Sequence, residues 1–214
     1  MPIAAVTAWT SLKELLPASA SQAEKPHTVL LLGTGGVSIA GLQLAHALGH
    51  RTIVTSSSDA KLERAKALGA DHVINYTTTP SWHEDVLAAT DGLGADVVLE
   101  TGGAGTLRQS LECVAFGGGV ACIGYLGGKE DQDSPGLNVA VLALKRNVTL
   151  KGMLNGSRAR FEEMLEIYRR EEIRPVVDRV FGWEEAGEAM RYLQSGGHFG
   201  KVVVRFGESG EGER

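Results

Sequence analysis

Three closely spaced glycines stand where an apolar strand should become a helix, in the segment HTVLLLGTGGVSIAGLQLAHALGH (residues 27–50). Gly33 allows a tight turn out of the strand, and Gly35 lets a pyrophosphate approach the backbone. Gly36 leaves the N–H groups of the first helical turn open to an anion. Ser38 takes the place of the third glycine of a G-x-G-x-x-G pattern and is small enough for nearly the same helix–strand packing. The turn predicts a dinucleotide site, and a purely structural turn is the alternative.

The segment TSSSDAK (55–61) indicates which dinucleotide would bind. NAD sites place a carboxylate at the end of the second strand to hold the ribose 2′-hydroxyl. Here Ser56, Ser57 and Lys61 offer hydroxyls and a cation instead, which suit a 2′-phosphate. Asp59 comes late in the segment and is interpreted as a helix cap. We therefore predict NADP(H) in preference to NAD, although Lys61 is equally explained as a solvated surface lysine.

Apolar segments alternate with amphipathic ones along most of the chain. Nearly continuous apolar runs are typical of strands in a parallel sheet that is covered on both faces. Strand–helix repetition predicts an α/β fold with a doubly wound parallel sheet. The last part of the chain predicts the order helix, strand, helix, strand. The six strands of the sheet are predicted over 28–33, 51–56, 72–76, 95–101, 119–126 and 147–153.

The composition of the chain argues against several classes of partner. The 214 residues carry a formal net charge of -5, which gives no basic footprint for a nucleic acid. No run approaches the ~18 apolar residues that span a bilayer, and the N-terminus lacks the positive region of a signal peptide. Cys113 and Cys122 lie in apolar segments and are interpreted as buried free thiols, without a metal site. We expect a cytoplasmic protein with no membrane or nucleic-acid partner.

Several segments together resemble one family. GTGGVSIAGLQLAHALG, TSSSDAKLERAKALGADHVINY, GGAGTLRQSL and HFGKVVV are similar to the zinc-independent medium-chain dehydrogenases/reductases, on their alcohol dehydrogenase-like and quinone oxidoreductase-like side. TAWTSL (7–12) is similar to the family's segment just before the cofactor domain. The resemblance implies a Rossmann-type dinucleotide-binding domain over 1–156 and a remnant of the substrate domain over 157–206. We expect residues 207–214 to be a disordered tail, and the family's N-terminal GroES-like domain to be absent.

The resemblance also implies cofactor contacts at the carboxyl ends of the strands. Tyr76 matches a position near the adenosine phosphate, although a core tyrosine is the alternative. Lys201 belongs to the C-terminal cofactor loop, although it is also explained as a surface cation. The full set of expected cofactor-binding residues is Gly33, Gly35, Gly36, Val37, Ser56, Ser57, Lys61, Tyr76, Thr101, Gly102, Gly124, Tyr125, Leu126, Phe199, Gly200 and Lys201.

Two residues are candidates for catalysis. Tyr125 would donate a proton or line the pocket at the nicotinamide end. His198 precedes the cofactor loop and would act as a general acid or base, with an exposed loop histidine as the alternative.

Two functions fit these features. The first is an NADP-dependent oxidoreductase that passes hydride to a carbonyl or an activated alkene of a small-molecule substrate. The second is a redox-inactive relative that serves as an isomerase, cyclase or lyase, or as a binding partner. The resemblance further implies a homodimer formed through the edge strand near 147–151.

Overall fold

The computed structural model of the chain describes residues 2–16, 26–130 and 136–207. Six strands form one sheet in the order β3-β2-β1-β4-β5-β6, and every neighbouring pair is parallel. The predicted doubly wound parallel sheet is confirmed. Its strands are β1 (Thr28–Leu31), β2 (Arg51–Ser56), β3 (His72–Asn75), β4 (Ala95–Glu100), β5 (Val114–Cys122) and β6 (Thr149–Gly152).

Helices cover both faces of this sheet because alternate strand residues point in opposite directions. In β1, Val29 and Leu31 join one apolar cluster, whereas Leu30 joins the other. The first cluster includes residues of α1, α2 and α7, and the second includes residues of α4 and α5. The helices are α1 (Pro2–Leu15), α2 (Gly36–Ala47), α3 (Asp59–Ala67), α4 (Trp82–Ala89), α5 (Ala104–Cys113), α6 (Val139–Arg146), α7 (Arg158–Arg170) and α8 (Ala186–Gln194).

The last part of the described chain forms a second, smaller sheet. After α7, β7 (Val177–Gly182) pairs in parallel with β8 (Lys201–Arg205), and a short 3-10 helix followed by α8 connects them. The predicted order of helix, strand, helix and strand is present. The domain boundary at 156 and the interpretation of 157–206 as a substrate-domain remnant stay predictions. The predicted tail lies outside the described residues, apart from its first residue.

The strand predicted over 119–126 is wrong at both ends. β5 begins at Val114 and ends at Cys122. A side chain at Gly118 would place its Cβ 2.8 Å from the Asp96 carbonyl oxygen, so glycine is what lets the two backbones approach at this point. Residues 124–126 leave the strand and form a loop at its carboxyl end.

Both cysteines are free, as predicted, with Cys113 buried and Cys122 half-buried. Burial raises the pKa of the Cys113 thiol to about 12, so this side chain stays protonated and packs as a small apolar group. Among the described helices, none has the length and hydropathy required to cross a membrane.

Candidate functional site

The turn between β1 and α2 has the geometry that the glycines predict. Gly33 adopts a φ of 74°, in the left-handed region that favours glycine. Gly35 precedes the helix as its N-cap, and a Cβ at this position would have no atom within 4 Å. Because a glycine cap has no side chain, the first N–H groups of α2 keep no side-chain acceptor. The space beside Gly35 and these donors together fit an anionic group.

Lys201 lies at this same helix N-terminus. Its ammonium occupies the space that a side chain at Gly36 would need. Burial lowers the pKa of Lys201. A cation beside the positive end of a helix dipole is unfavourable unless an anion compensates both. The arrangement therefore fits a phosphate group bound in the open space beside Gly35, within reach of the helix N-terminus and Lys201.

Ser38 takes a different role from a glycine at the same position. Its hydroxyl donates to the Leu32 carbonyl oxygen at 2.6 Å and ties α2 to the end of β1. The close helix–sheet approach occurs at Gly41 instead, where a Cβ would lie 2.7 Å from Leu31 Cδ2 and 3.0 Å from Leu99 Cδ2. Gly41 escaped the sequence analysis. Its position three residues after Ser38, on the same helix face, was the available signal.

The end of β2 lies directly beside the glycine turn. The hydroxyl oxygen of Thr55 accepts a hydrogen bond from the Gly33 N–H at 3.2 Å. Ser56 is buried and accepts from the Ser58 N–H at 3.3 Å, whereas Ser57 is exposed. The phenol ring of Tyr76 is 41% exposed, so it is not a core tyrosine. These side chains lie where an adenosine would follow a pyrophosphate at the turn.

The interpretation of Asp59 as the cap of α3 is wrong. Ser58 is the N-cap, and the Asp59 carboxylate accepts a hydrogen bond from the Asn75 side-chain amide at 2.6 Å. The carboxylate thus joins α3 to the end of β3.

Lys61 contacts the C-terminal loop. Its ammonium donates to the Gly196 carbonyl oxygen at 2.5 Å. Burial lowers the pKa of Lys61, and the charge of Asp178 partly opposes this effect. A lysine held by tertiary contact is not the freely solvated surface lysine of the alternative interpretation.

The loop that contains Phe199 and Gly200 contacts both the glycine turn and α3. The Gly200 N–H donates to the Thr34 carbonyl oxygen at 3.0 Å. Phe199 is buried, and the Arg64 guanidinium lies 4.2 Å from its ring centroid. The loop is therefore fixed at the edge of the candidate site.

The ends of β4 and β5 form the other half of the site. The Thr101 hydroxyl donates to the Leu32 carbonyl oxygen at 2.9 Å, so it bridges β4 and β1 where the strand order reverses. Ligands of open α/β sheets bind at this reversal. The Leu126 N–H donates to the Thr101 carbonyl oxygen at 3.1 Å, and the Gly127 N–H donates to the Gly102 carbonyl oxygen at 2.6 Å. These bonds attach the loop after β5 to the turn after β4.

Glu100 organises that turn, although the sequence analysis did not select it. Its carboxylate is 1% exposed and accepts from the N–H groups of Gly102 and Gly103 at 2.7 and 3.0 Å. It also accepts from the hydroxyls of Thr106, at 2.6 Å, and Ser110. An acidic residue at the end of an apolar strand was the signal for a buried carboxylate.

The nicotinamide-end residues predicted after β5 are open to solvent. Gly124 is held by its N–H bond to the Glu100 carbonyl oxygen at 3.3 Å. Tyr125 is 62% exposed and Leu126 is 90% exposed. The Lys129 ammonium lies 4.8 Å from the centroid of the Tyr125 ring.

The two candidate catalytic residues lie at different ends of the site. His198 lies in the loop that Lys61 contacts after β2, whereas Tyr125 follows β5. Two strands, β1 and β4, separate β2 from β5. At ~4.8 Å per strand, this separation is roughly 14 Å. The structure therefore does not bring His198 and Tyr125 together as an acid–base pair.

A cleft of about 740 Å³ opens at the carboxyl end of β6. The hydroxyl oxygen of Thr10 lines it, is buried and has no hydrogen-bond partner among the described residues. Ser157 caps α7 there by accepting from the Arg160 N–H at 3.3 Å. None of the predicted site residues lines this cleft, because its walls come from α1, β6 and the start of α7. Its size is within the ~300–1,000 Å³ range of ligand pockets.

Within the described ranges, three or more His, Cys, Asp or Glu side chains do not assemble into a group that would hold a metal ion. The residues of the site fit a nucleotide phosphate. A doubly wound sheet with an anion-binding turn at its strand reversal defines a Rossmann-type dinucleotide-binding protein.

Comparison with known proteins identifies the family. The model described as zinc-binding dehydrogenase matches residues 36–170. The chain belongs to this family, and the resemblance to medium-chain dehydrogenases/reductases is confirmed.

Three relatives illustrate the extent of the similarity. A zinc-type alcohol dehydrogenase-like protein of Schizosaccharomyces pombe is 42% identical, over 96% of this chain and 58% of its own length. A putative alcohol dehydrogenase from Sinorhizobium meliloti is 40% identical with a TM-score of 0.80, over 96% of this chain and 57% of that one. The quinone oxidoreductase from Thermus thermophilus, solved also with NADPH, is 32% identical with a TM-score of 0.76, over 96% and 64%. The chain thus spans little more than half the length of the first two relatives.

Proposed function

We propose that the chain binds NADP(H) and acts as the cofactor-binding part of an oxidoreductase for a carbonyl or an activated alkene. The observation that carries this proposal is the position of the Lys201 ammonium at the N-terminus of α2. Both groups are positive, and the cofactor pyrophosphate would compensate both. The NADPH complex of the Thermus thermophilus quinone oxidoreductase supports the choice of cofactor.

Each part of the site has a proposed task. The backbone of Gly35, Gly36 and Val37 donates to the pyrophosphate, and Lys201 neutralises it. Thr101 and Gly102 orient the nicotinamide ribose, while Gly124 and Leu126 bound the nicotinamide. The bound cofactor supplies the hydride. Tyr125, which follows β5 at this end of the site, is the proposed proton donor.

The preference for the 2′-phosphate is assigned to Ser56, Ser57 and Lys61, with Tyr76 beside the adenosine. A direct test is titration with NADPH and NADH, followed by nicotinamide fluorescence. Lys61→Glu should weaken NADPH by about 1–3 kcal/mol, the scale of a hydrogen bond to a charged group, and leave NADH little changed. Lys66→Glu on the same helix is the matched control, because Lys66 is exposed and, within the described ranges, pairs with Glu63 alone. Equal affinities for the two cofactors, or tighter NADH, contradict the preference.

The exposed loop after β5 limits what this chain does alone. Hydride transfer needs the reacting carbons at about 3–3.5 Å in a protected geometry. Because Tyr125 and Leu126 face solvent, we expect the 214-residue chain to reduce aldehydes and quinones well below ~10 s⁻¹. Fast NADPH oxidation with small quinones contradicts this expectation. Turnover of a substrate without cofactor favours the isomerase, cyclase or lyase alternative.

We also propose that the protein forms a homodimer through β6. All four residues of this edge strand are exposed, and α6, which precedes it in the chain, contains no buried residue. An edge with free backbone groups invites pairing with a second copy. A cytoplasmic location and independence from zinc complete the proposal, on the two free thiols and on the lack of a ligand cluster in the described ranges. Cell fractionation and metal analysis of the purified protein test these two points.

A further inference from the structure

The loop between α8 and β8 is anchored at both ends of the proposed cofactor site. At one end, the Lys61 ammonium donates to the Gly196 carbonyl oxygen at 2.5 Å. At the other end, the Gly200 N–H donates to the Thr34 carbonyl oxygen in the glycine turn at 3.0 Å. His198 lies between these anchors, so its ring is held on the adenosine side of the site.

His198 has a hydrogen-bonding atom without a partner. Its Nδ1 is buried and makes no hydrogen bond in the described part of the chain. The charged groups around it are Lys61 and Arg64 from α3, Asp178 from β7 and Lys201 from β8. Three of these four groups are cations.

The one acid among these neighbours is already engaged. The Asp178 carboxylate accepts from the Arg64 guanidinium at 2.7 Å and from the Tyr192 hydroxyl at 2.6 Å. In the described ranges, neither Lys61 nor Lys201 forms an ion pair with a carboxylate. The ring of His198 and these two ammonium groups therefore share an environment whose one neighbouring carboxylate is already bonded to other side chains.

We propose that His198 and Lys61 together recognise the phosphomonoester on the adenosine ribose of the cofactor, and that His198 takes up a proton when this phosphate binds. The inference rests on the proposed function and replaces the expected role of His198 as a catalytic acid or base. A phosphate dianion supplies negative charge that is not already engaged in the cluster, and a protonated ring offers it a charged N–H donor.

The electrostatics of the free protein agree with this coupling. Burial lowers the pKa of His198, the charge of Lys61 lowers it further, Asp178 raises it and Lys201 lowers it. The ring is thus neutral at neutral pH without ligand. A bound phosphate raises the pKa of His198, because a negative charge nearby favours the protonated ring.

The experiment compares two fragments of the cofactor by calorimetry. Adenosine 2′,5′-bisphosphate carries the proposed phosphomonoester, and 5′-AMP lacks it. Titrations at pH 7.5 in buffers of different ionisation enthalpy count the protons taken up, well above the second phosphate pKa of about 6. The wild type should take up as much as one proton with the bisphosphate and less with 5′-AMP.

The variants separate recognition from folding. His198→Asn should abolish the extra proton uptake and weaken the bisphosphate about tenfold or more, while 5′-AMP affinity stays within twofold. His72→Asn, at an exposed histidine of β3, is the matched control and should behave as wild type. Titration of the His198 ring by NMR in the wild type, with and without the bisphosphate, needs no variant and should show a raised pKa in the complex.

The outcomes distinguish a failure of the inference about His198 from a failure of the proposed cofactor binding. Equal proton uptake in wild type and His198→Asn, or a His198 pKa that the bisphosphate leaves unchanged, overturns the inference while cofactor binding stands. If neither fragment nor NADPH binds, the proposed function and the inference both fail.

Discussion

Replacement of Glu100 by glutamine tests whether one buried carboxylate holds the nicotinamide half of the site together. The carboxylate accepts four hydrogen bonds, two from backbone N–H groups and two from hydroxyls. Three of them converge on Oε1 and fix the turn after β4. Two backbone hydrogen bonds attach the loop after β5 to that turn. A change at Glu100 should therefore shift the residues that are predicted to line the nicotinamide site.

The magnitude follows from the hydrogen bonds that glutamine weakens. A bond to a charged acceptor contributes about 1.5–3 kcal/mol, and one to a neutral acceptor about 0.5–1.5 kcal/mol. Three bonds to Oε1 therefore lose about 1 kcal/mol each. Glutamine also escapes the cost of burying a charge, which offsets part of this loss. The net destabilisation expected for Glu100→Gln is about 1–3 kcal/mol.

Urea denaturation measures this change, with Glu112→Gln as the control. Glu112 lies on the neighbouring helix α5, is partly exposed, and has His83 at 3.5 Å as its one ion-pair partner among the described residues. The control should lose less than about 0.5 kcal/mol, as expected for surface substitutions. Glu100→Gln should also weaken NADPH more than 5′-AMP, because the turn carries the proposed ribose contacts. Equal stability of the two variants would refute the assigned role of the carboxylate.

The other predictions concern the packing, the acid stability and the assembly of the chain. Gly41→Val should cost about 2–3 kcal/mol in urea denaturation, because even its Cβ would lie 2.7 Å from a core leucine methyl of β1. Gly35→Ala, with open space at the Cβ, should stay within about 1 kcal/mol but weaken NADPH at least tenfold. Burial alone would raise the pKa of Asp178, but hydrogen bonds from a tyrosine and an arginine hold it below its ordinary value of about 3.9. The ionised Asp178 carboxylate therefore stabilises the folded state fully above pH ~3.9, and this stabilisation is lost as the pH falls through the lower pKa of the folded state. Because Asp178→Asn lacks this group, its free energy of unfolding should depend less on pH over this range of an acid denaturation. Light scattering should give about twice the 22.6 kDa chain mass for the wild type, and Leu144→Glu on α6, the helix that precedes β6, should reduce it, whereas Leu193→Glu on α8 should not.

The sheet could be predicted from the sequence because its signals are local. Each buried strand is a short apolar run, and each connecting helix repeats its apolar residues on one face. Helix α1 carries no such signal. Its residues Ala4, Val6, Trp9 and Leu12 are all buried although they point in different directions around the helix, so no amphipathic pattern marks it. It is packed against α2 and α7, which only the fold reveals.

The candidate site likewise has one part that the sequence predicts and another that only the fold reveals. The glycine turn is a local feature of the backbone and was predicted residue by residue. Lys201 at the N-terminus of α2 and His198 beside Lys61 result from tertiary contacts between distant segments, which spacing alone does not indicate. The cleft at β6 escaped prediction for the same reason, because three separate elements build its walls.

These long-range contacts share one electrostatic property. The C-terminal loop is attached to the glycine turn and to α3, and it brings Lys201 to the positive end of α2 and His198 to Lys61. The first contact places two positive groups together, and the second places the Lys61 ammonium beside a neutral imidazole, so folding without a ligand leaves part of the repulsion and desolvation of the ammonium groups uncompensated. A dinucleotide would supply phosphates along the whole line from Lys201 to Lys61. Ligand binding and attachment of the β7–β8 unit are then coupled, because whatever neutralises these cations also stabilises the loop that holds them. The same feature that makes the chain a candidate cofactor-binding protein thus makes its C-terminal segment the part whose stability depends most on the cofactor.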